Sequence, residues 1–166
     1  MSIIIQVMKP SQAAFCASFA CSAPIGIRYG LNETKLAKQL QEALQQKDDI
    51  VLVAEQEGIP VGFAWIKPRG AFSIAPYLKL IAVTDTSRSN GIGAKLLQEF
   101  EDHTFSVGKD YCLLVSDFNE QAIAFYEHHG YKQAGCLPDF AIKGVAEILM
   151  VKKRKDEKES AKNSFR

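Results

Sequence analysis

Two glycines in the segment "SRSNGIGAKLL", Ser87 to Leu97, have a spacing that suggests phosphate chemistry. Gly91 and Gly93 follow a strand-like apolar segment, "LIAVT", and precede apolar residues at helical spacing. A helix that begins in a glycine-rich turn presents unpaired backbone N–H groups and the positive end of its dipole. The segment therefore predicts a site for a phosphate group, although this physics alone does not choose the ligand.

Two common nucleotide-binding fingerprints are not met by these glycines. The dinucleotide pattern G-x-G-x-x-G needs a third glycine where Leu96 stands. The phosphate-loop pattern G-x-x-x-x-G-K-[ST] is not matched either. A nicotinamide-dinucleotide domain and a phosphate-loop NTPase are both disfavoured for this reason.

A different pattern, R-x-x-G-x-G, is formed by Arg88, Gly91 and Gly93 directly after "LIAVT". It resembles the acyl-CoA-binding motif of the GNAT superfamily of N-acetyltransferases, in which successive loop amides hold the CoA pyrophosphate. A second segment, "NEQAIAFYEHHGY" from Asn119 to Tyr131, is similar to the family's N-x-x-A-x-x-F-Y-x-x-x-G-[FY] pattern. The two motifs stand in the family's order, and the resemblance covers roughly residues 50–135.

The resemblance implies a fold and a set of contacts to acetyl-CoA, the implied co-substrate. The fold would be a GNAT-like single α/β (α+β) domain, with a mixed twisted sheet of about six or seven strands and about four helices. Two parallel strands, Leu78 to Thr84 and Tyr111 to Ser116, would splay apart where acetyl-CoA enters. The implied contact residues are Ile81, Ala82 and Val83 on the strand, Arg88, Ser89, Asn90, Gly91, Ile92, Gly93 and Ala94 at the glycine-rich turn, and Asn119, Phe125 and Tyr126.

Tyr126 receives the role of general acid from the resemblance. A phenol has a pKa of about 10, so it stays protonated at neutral pH and can give its proton to a departing CoA thiolate. A backbone N–H on the strand ending at Val83 would stabilise the oxyanion. Asn119 stands at a helix start, where capping the helix and binding CoA can coexist.

The general base is where the sequence departs from the family pattern. Many members carry a Glu on the strand that leads into the phosphate-binding turn, but "YLKLIAV" has Lys79 and no carboxylate. Glu55, Asp85 and Asp117 are candidate bases, and a water relay is the alternative. The acceptor is equally open: an amine of a small molecule, an amino acid, a protein N-terminus or a lysine side chain would all suit.

The elements that must position these residues follow from hydrophobic periodicity and turn residues. The segment "SAPIGIRYG", residues 22–30, is predicted to be a loop that helps to shape the acceptor site, and Asn32 is predicted to cap the helix after it. Gly108 is predicted to end the helix that follows the glycine-rich turn. The predicted strands are 3–8, the hairpin 50–68, 77–84, 111–116, 131–137 and 146–153, and the other predicted helices are 10–23, 31–47 and 119–129.

Composition sets the remaining expectations. The 166 residues are 47% hydrophobic and 23% charged, which is typical of one globular domain, expected over residues 1–152. Residues 151–166 carry a net charge of +4 and the rest −3; we expect 153–166 to be a solvated, disordered tail rather than a nucleic-acid arm. We expect a cytoplasmic protein with no nucleic-acid or membrane partner, and a homodimer stays open. Four cysteines without ligand spacing predict core thiols, with no metal site.

The function that these expectations favour is an acetyl-CoA-dependent N-acetyltransferase that moves an acetyl group to a primary amine by direct transfer. The alternative from another class is a catalytically idle acyl-CoA-binding or regulatory domain. Such a domain would keep Arg88, Gly91 and Gly93 but would be indifferent to Tyr126. The tyrosine therefore favours the enzyme.

Overall fold

A mixed seven-stranded sheet forms the centre of the molecule in the computed structural model, which describes residues 2–155. The strands lie in the order β1-β2-β3-β4-β5-β7-β6, and every neighbouring pair is antiparallel except β4 and β5. The elements are β1 (Ile3–Val7), α1 (Ala13–Ser22), α2 (Pro24–Arg28), α3 (Glu33–Ala43), β2 (Ile50–Gln56), β3 (Ile59–Ala71), β4 (Ala75–Val83), α4 (Ile92–Thr104), β5 (Asp110–Ser116), α5 (Glu120–His128), β6 (Lys132–Pro138) and β7 (Ala146–Lys153).

Each face of the sheet is covered by its own hydrophobic core. On one face α4 and α5 pack against the sheet, and on the other α1 and α3 do. The middle strand β3 shows why both faces are buried. Ala64 and Ile66 point into the first core, whereas Phe63 and Trp65 point into the second.

The parallel strands β4 and β5 separate soon after they meet. They pair only where Tyr77 lies opposite Cys112 and Leu78 opposite Leu113. Residues 79–83 of β4 continue without a ladder pair to β5. This splay was expected from the family resemblance, and together with the mixed sheet it confirms the predicted fold class.

Local signals explain where the two helices nearest the splay and the helix α3 begin. The Asn32 side chain accepts a hydrogen bond from the Lys35 N–H at 2.8 Å and caps α3 as predicted. Asn119 caps α5 by accepting the Ala122 N–H at 3.3 Å. Gly91 precedes α4 in the left-handed conformation, with φ of 73°, which a glycine adopts without steric cost.

The structure corrects four expectations. Residues 22–30 are not simply a loop, because they contain the short helix α2. Pro24 is its first residue, a position where the missing backbone N–H of proline costs no hydrogen bond within the helix. This makes five α-helices in the part of the chain that the structure describes. The helix α4 ends at Thr104 rather than at Gly108. Cys136 is exposed on β6 and is not a core thiol.

Of the predicted tail, residues 153–155 belong to the described part of the chain. β7 continues through Lys153, which the sequence analysis assigned to the tail. Residues 156–166 lie outside the described part of the chain, so the tail prediction stays a prediction. Within residues 2–155 no helix has both the length and the apolar character needed to cross a membrane.

Candidate active site

The splay exposes the backbone of β4 to a ligand. The Thr84 N–H donates to the Val61 carbonyl on β3 at 2.9 Å. Because backbone N–H groups alternate in direction along a strand, those of Ile81 and Val83 point away from β3, towards the side of β5. The Thr84 hydroxyl is also buried and has no hydrogen-bond partner within the described residues. An elongated ligand with amide groups could pair with this strand segment.

The glycine-rich turn lies between the end of β4 and the start of α4. A Cβ added at Gly91 would meet no atom within 4 Å, so the turn is open where a ligand would approach. Ser89 also has a positive φ of 72°, and Ser89 and Asn90 are exposed. Ile92 is buried and anchors the first turn of α4 in the core, while Ala94 is half-buried. The first N–H groups of α4 have no intrahelical acceptor and are available to an anion.

The structure brings the two sequence motifs together at Gly93 and Phe125. A Cβ at Gly93 would lie 3.5 Å from the Phe125 ring, which is ordinary contact. Arg88 lies at the beginning of the turn, where it forms an ion pair with Asp85 at 2.9 Å. Both of these side chains are exposed, so the arginine is accessible to a second anion. Taken with the open turn, these residues are suited to the pyrophosphate of CoA.

Tyr126 is buried in the core between the sheet and α5. Its ring packs edge-to-face against Phe125, with centroids 5.2 Å apart, and against Tyr131, with centroids 5.8 Å apart. Burial raises the pKa of the Tyr126 phenol above its ordinary value. The phenol therefore keeps its proton at neutral pH, as a general acid must before the reaction.

The three candidate bases from the sequence lie in different surroundings. Glu55 on β2 is nearly buried and accepts hydrogen bonds from Gln6, at 3.0 Å, and from Gln12; β3 separates its strand from β4. Asp85 is exposed and forms an ion pair with Arg88. Asp117 is exposed at the end of β5. None of the three is buried beside the splayed segment of β4.

A buried carboxylate that the sequence analysis did not select is Glu147, near the start of β7. It is 6% exposed and accepts a hydrogen bond from the Tyr29 hydroxyl. That hydroxyl also lies 2.5 Å from the hydroxyl of Ser116, the residue opposite Glu147 on β5. The one feature of the sequence that could have pointed to Glu147 is that it is a single carboxylate inside the apolar strand segment "AEILMV".

The tyrosines around Glu147 stay neutral at physiological pH. Burial, followed by the hydrogen bond to Glu147, raises the pKa of Tyr29 to about 12. Burial and then the negative charge of Glu147 also raise the pKa of Tyr77 on β4. The Glu147 carboxylate, the Tyr29 phenol and the Ser116 hydroxyl are thus in contact with one another beside the splay. Within residues 2–155, no group of three or more His, Cys, Asp or Glu side chains is placed to hold a metal ion.

Comparison with known proteins links this arrangement to a family. A family model described as "Acetyltransferase (GNAT) family" matches residues 19–131. N-alpha-acetyltransferase 60 from Danio rerio is 35% identical over 74 residues, which are 42% of this chain and 31% of that protein. The uncharacterized N-acetyltransferase YhfO from Bacillus subtilis is 27% identical over 100 residues, 57% of this chain and 66% of that protein. The matched region spans less than two thirds of either relative.

Solved structures share the whole architecture at low sequence identity. NAA60 from Arabidopsis thaliana, determined with a bisubstrate analogue, superposes with a TM-score of 0.75 at 18% identity, covering 92% of this chain and 98% of that one. An aminoglycoside 6'-N-acetyltransferase complexed with coenzyme A gives a TM-score of 0.73 at 21% identity, covering 92% and 99%. At such identities the likeness shows the fold.

Proposed function

The chain belongs to the acetyltransferase (GNAT) family, and we propose that it transfers the acetyl group of acetyl-CoA to a primary amine by direct attack, with Tyr126 as general acid. The observation that carries the proposal is the splay of β4 from β5 directly before the glycine-rich turn. Unpaired strand N–H groups and an open helix start are thereby placed in succession along one path. This succession matches the order of amides and phosphates in CoA.

The cofactor-binding residues act mainly through their backbone. Ile81, Ala82 and Val83 would pair with the amides of the pantetheine arm. The N–H groups of the turn from Arg88 to Ala94 would surround the pyrophosphate, with the Arg88 guanidinium adding positive charge. Asn119 and Phe125, at the start and middle of α5, would border the same path. What acetyl-CoA supplies when bound is an activated acyl group on a thiolate that leaves readily.

Tyr126 would give its phenolic proton to the sulfur that leaves as a thiolate. Its raised pKa keeps the phenol protonated at neutral pH, so the proton is in place when negative charge develops on sulfur. The Val83 N–H, which points away from β3, would donate a hydrogen bond to the carbonyl oxygen as charge builds there. Acid and hydrogen-bond donor then act on the two atoms that become negative.

The acceptor is a primary amine of a protein, peptide or small molecule. The relatives named above include an N-alpha-acetyltransferase and an aminoglycoside N-acetyltransferase, so both kinds of amine occur as acceptors within the fold. The cytoplasmic location expected from the sequence is part of the same proposal. The expectations about nucleic acid, membrane and a homodimer stay predictions.

Calorimetric titration with acetyl-CoA tests the proposal first, with NAD and ATP as controls. We expect saturable binding of acetyl-CoA alone, and then release of CoA thiol in the presence of amines from a panel of free-N-terminal peptides, lysine derivatives and aminoglycosides. Equal binding of ATP would mean that the turn serves a different phosphate. Binding of acetyl-CoA without release of CoA thiol in the presence of any of these amines would favour the catalytically idle acyl-CoA-binding domain.

A further inference from the structure

We propose that Glu147 is the general base of this reaction, and that with Tyr29 and Ser116 it binds the acceptor as an ammonium group and removes its proton. The inference rests on the proposed function, because it needs an amine acceptor and a thioester donor. It adds the residue for which the sequence offered only Glu55, Asp85, Asp117 or water.

Strand register places Glu147 on the face of the sheet opposite Tyr126. On β5 and β7, Val115 and Ile148 are paired and both contact the core formed with α4 and α5. Successive side chains of a strand alternate between faces, so the neighbouring pair Ser116 and Glu147 points the other way. There the pair contacts Tyr29, the residue that ends α2.

The same register places Glu147 level with the splayed part of β4. Leu78 lies opposite Leu113 in the parallel pairing, and the pairing with β3 shows one extra residue, a bulge, in β4 directly after it. Counting past that bulge brings Ser116 level with Ala82, one of the residues proposed to line the pantetheine arm. Glu147 on β7 is paired directly with Ser116 on β5. A reacting carbon held in the splay is therefore reached by an amine from the Glu147 face, while the leaving sulfur faces the core that holds Tyr126.

Hydrogen bonding separates Glu147 from the other buried carboxylates. Three glutamates in the described residues are buried: Glu55, Glu101 and Glu147. Both oxygens of Glu55 accept amide protons from glutamines, and both oxygens of Glu101 are bonded to Lys152. Glu147 accepts one bond, through Oε1 from Tyr29, and its Oε2 receives none from residues 2–155. It is the buried glutamate with an oxygen left for a substrate proton.

The groups that face Glu147 leave it as the proton acceptor of the cluster. Tyr29 from α2 and Tyr77 from β4 have raised pKa values and stay protonated. Asp117, at the end of β5, adds negative charge near Tyr29. Arg28, the residue before Tyr29, stacks on the Phe118 ring at 3.8 Å. A buried carboxylate with hydroxyl oxygens beside it suits an alkylammonium group, whose N–H groups all need acceptors.

The proton balance is complete with these residues. The acceptor ammonium loses one proton to Oε2 of Glu147, and its nitrogen forms the N–C bond to the acetyl carbon. As the C–S bond breaks, Tyr126 protonates the sulfur, and the phenol regains its proton from the acylated nitrogen. Glu147 then returns its proton to solvent. Amide, CoA thiol and one free proton result.

Glu147→Gln tests the inference, since the amide oxygen can still accept the Tyr29 hydrogen bond and preserve the fold. We expect kcat/KM for the amine to fall by roughly 10²- to 10⁴-fold near neutral pH, the range of a lost general base. The pH profile of kcat/KM should change shape and follow ionisation of the free amine alone, rising with pH towards the pKa of an alkylamine, about 10. The Kd for acetyl-CoA by calorimetry should stay within about twofold. Glu147→Asp should recover part of the rate, because it restores a carboxylate.

Glu55→Gln is the matched variant, with the same substitution at a similarly buried glutamate. Its pH profile should have the same shape as that of the unsubstituted chain. An unchanged kcat/KM and pH profile in Glu147→Gln, with normal thiol release by the unsubstituted chain, would overturn this inference alone. The fall in kcat/KM and the changed pH profile in Glu55→Gln instead would assign the base to Glu55. Failure of the unsubstituted chain to bind acetyl-CoA or release thiol would overturn the proposed function together with it.

Discussion

At the scale of single residues, the open space at Gly91 sets what the glycine-rich turn tolerates. Gly91→Glu would place a side chain and a negative charge where the pyrophosphate is proposed to bind, because a Cβ there projects into empty space. We expect acetyl-CoA affinity to fall by more than about 10-fold in calorimetric titration. Gly58→Glu is the matched control: Gly58 has a similar φ of 77° and equally open surroundings, at the β2–β3 turn. Equal affinity of the two variants would refute the assignment of the turn.

The role of the Tyr126 hydroxyl can be tested with a neighbouring tyrosine, Tyr131, as the control. Tyr126→Phe should lower turnover by roughly 10²- to 10⁴-fold and leave acetyl-CoA affinity nearly unchanged, because the ring stays and the acid proton is lost. Tyr131→Phe removes the hydroxyl of a ring packed against it, one that donates to Glu101 at 3.1 Å. That control should cost about 1 kcal/mol of stability without lowering turnover. Normal turnover by Tyr126→Phe would reduce Tyr126 to a packing residue.

At the scale of elements, the position of α2 depends on close contact with α1. A Cβ at Gly26 would lie 2.2 Å from the Ala20 carbonyl oxygen, so Gly26→Ala must move α2 and with it Tyr29. We expect kcat/KM for the amine to fall by at least about 10-fold while the Kd for acetyl-CoA changes by less than about twofold. Ile27→Ala, at an exposed position of the same helix, is the control. Parallel loss of acetyl-CoA affinity would show that α2 also supports the donor site.

The elements also show which parts of the molecule the sequence could predict. Helices with apolar residues at regular spacing and an Asn cap, such as α3, were predicted because their signals lie within one segment. The helix α2 was missed because its five residues are too few to show a period. The Tyr29–Glu147 contact joins residues separated by 118 positions. Such a pair depends on strand order and register, which no local pattern contains.

At the scale of the whole molecule, the sheet separates the two halves of the proposed reaction. The proposed acid, Tyr126, lies in the core that covers one face, and the proposed base lies on the other, where Tyr29 meets the ends of β5 and β7. In the part of the chain that the structure describes, the widest opening between the two faces near Tyr126 and Glu147 is the gap between β4 and β5, because β4 and β5 pair at two positions alone. The position of the Tyr126 ring therefore depends on how the core around it is packed. That packing depends in turn on contacts between elements that are distant in sequence.

One of those contacts is the ion pair between Lys152 on β7 and Glu101 on α4, at 2.8 Å. Their side chains are 28% and 11% exposed, and Tyr131 donates to the same carboxylate. Lys152→Met would leave a largely buried charge without its partner, so we expect the free energy of unfolding to fall by about 1–3 kcal/mol in urea titration. Adding Glu101→Met should restore most of that stability, since an apolar pair needs no counter-charge. A single variant as stable as the unsubstituted chain would mean that water already satisfies Glu101, and that the core behind Tyr126 is held by apolar packing alone.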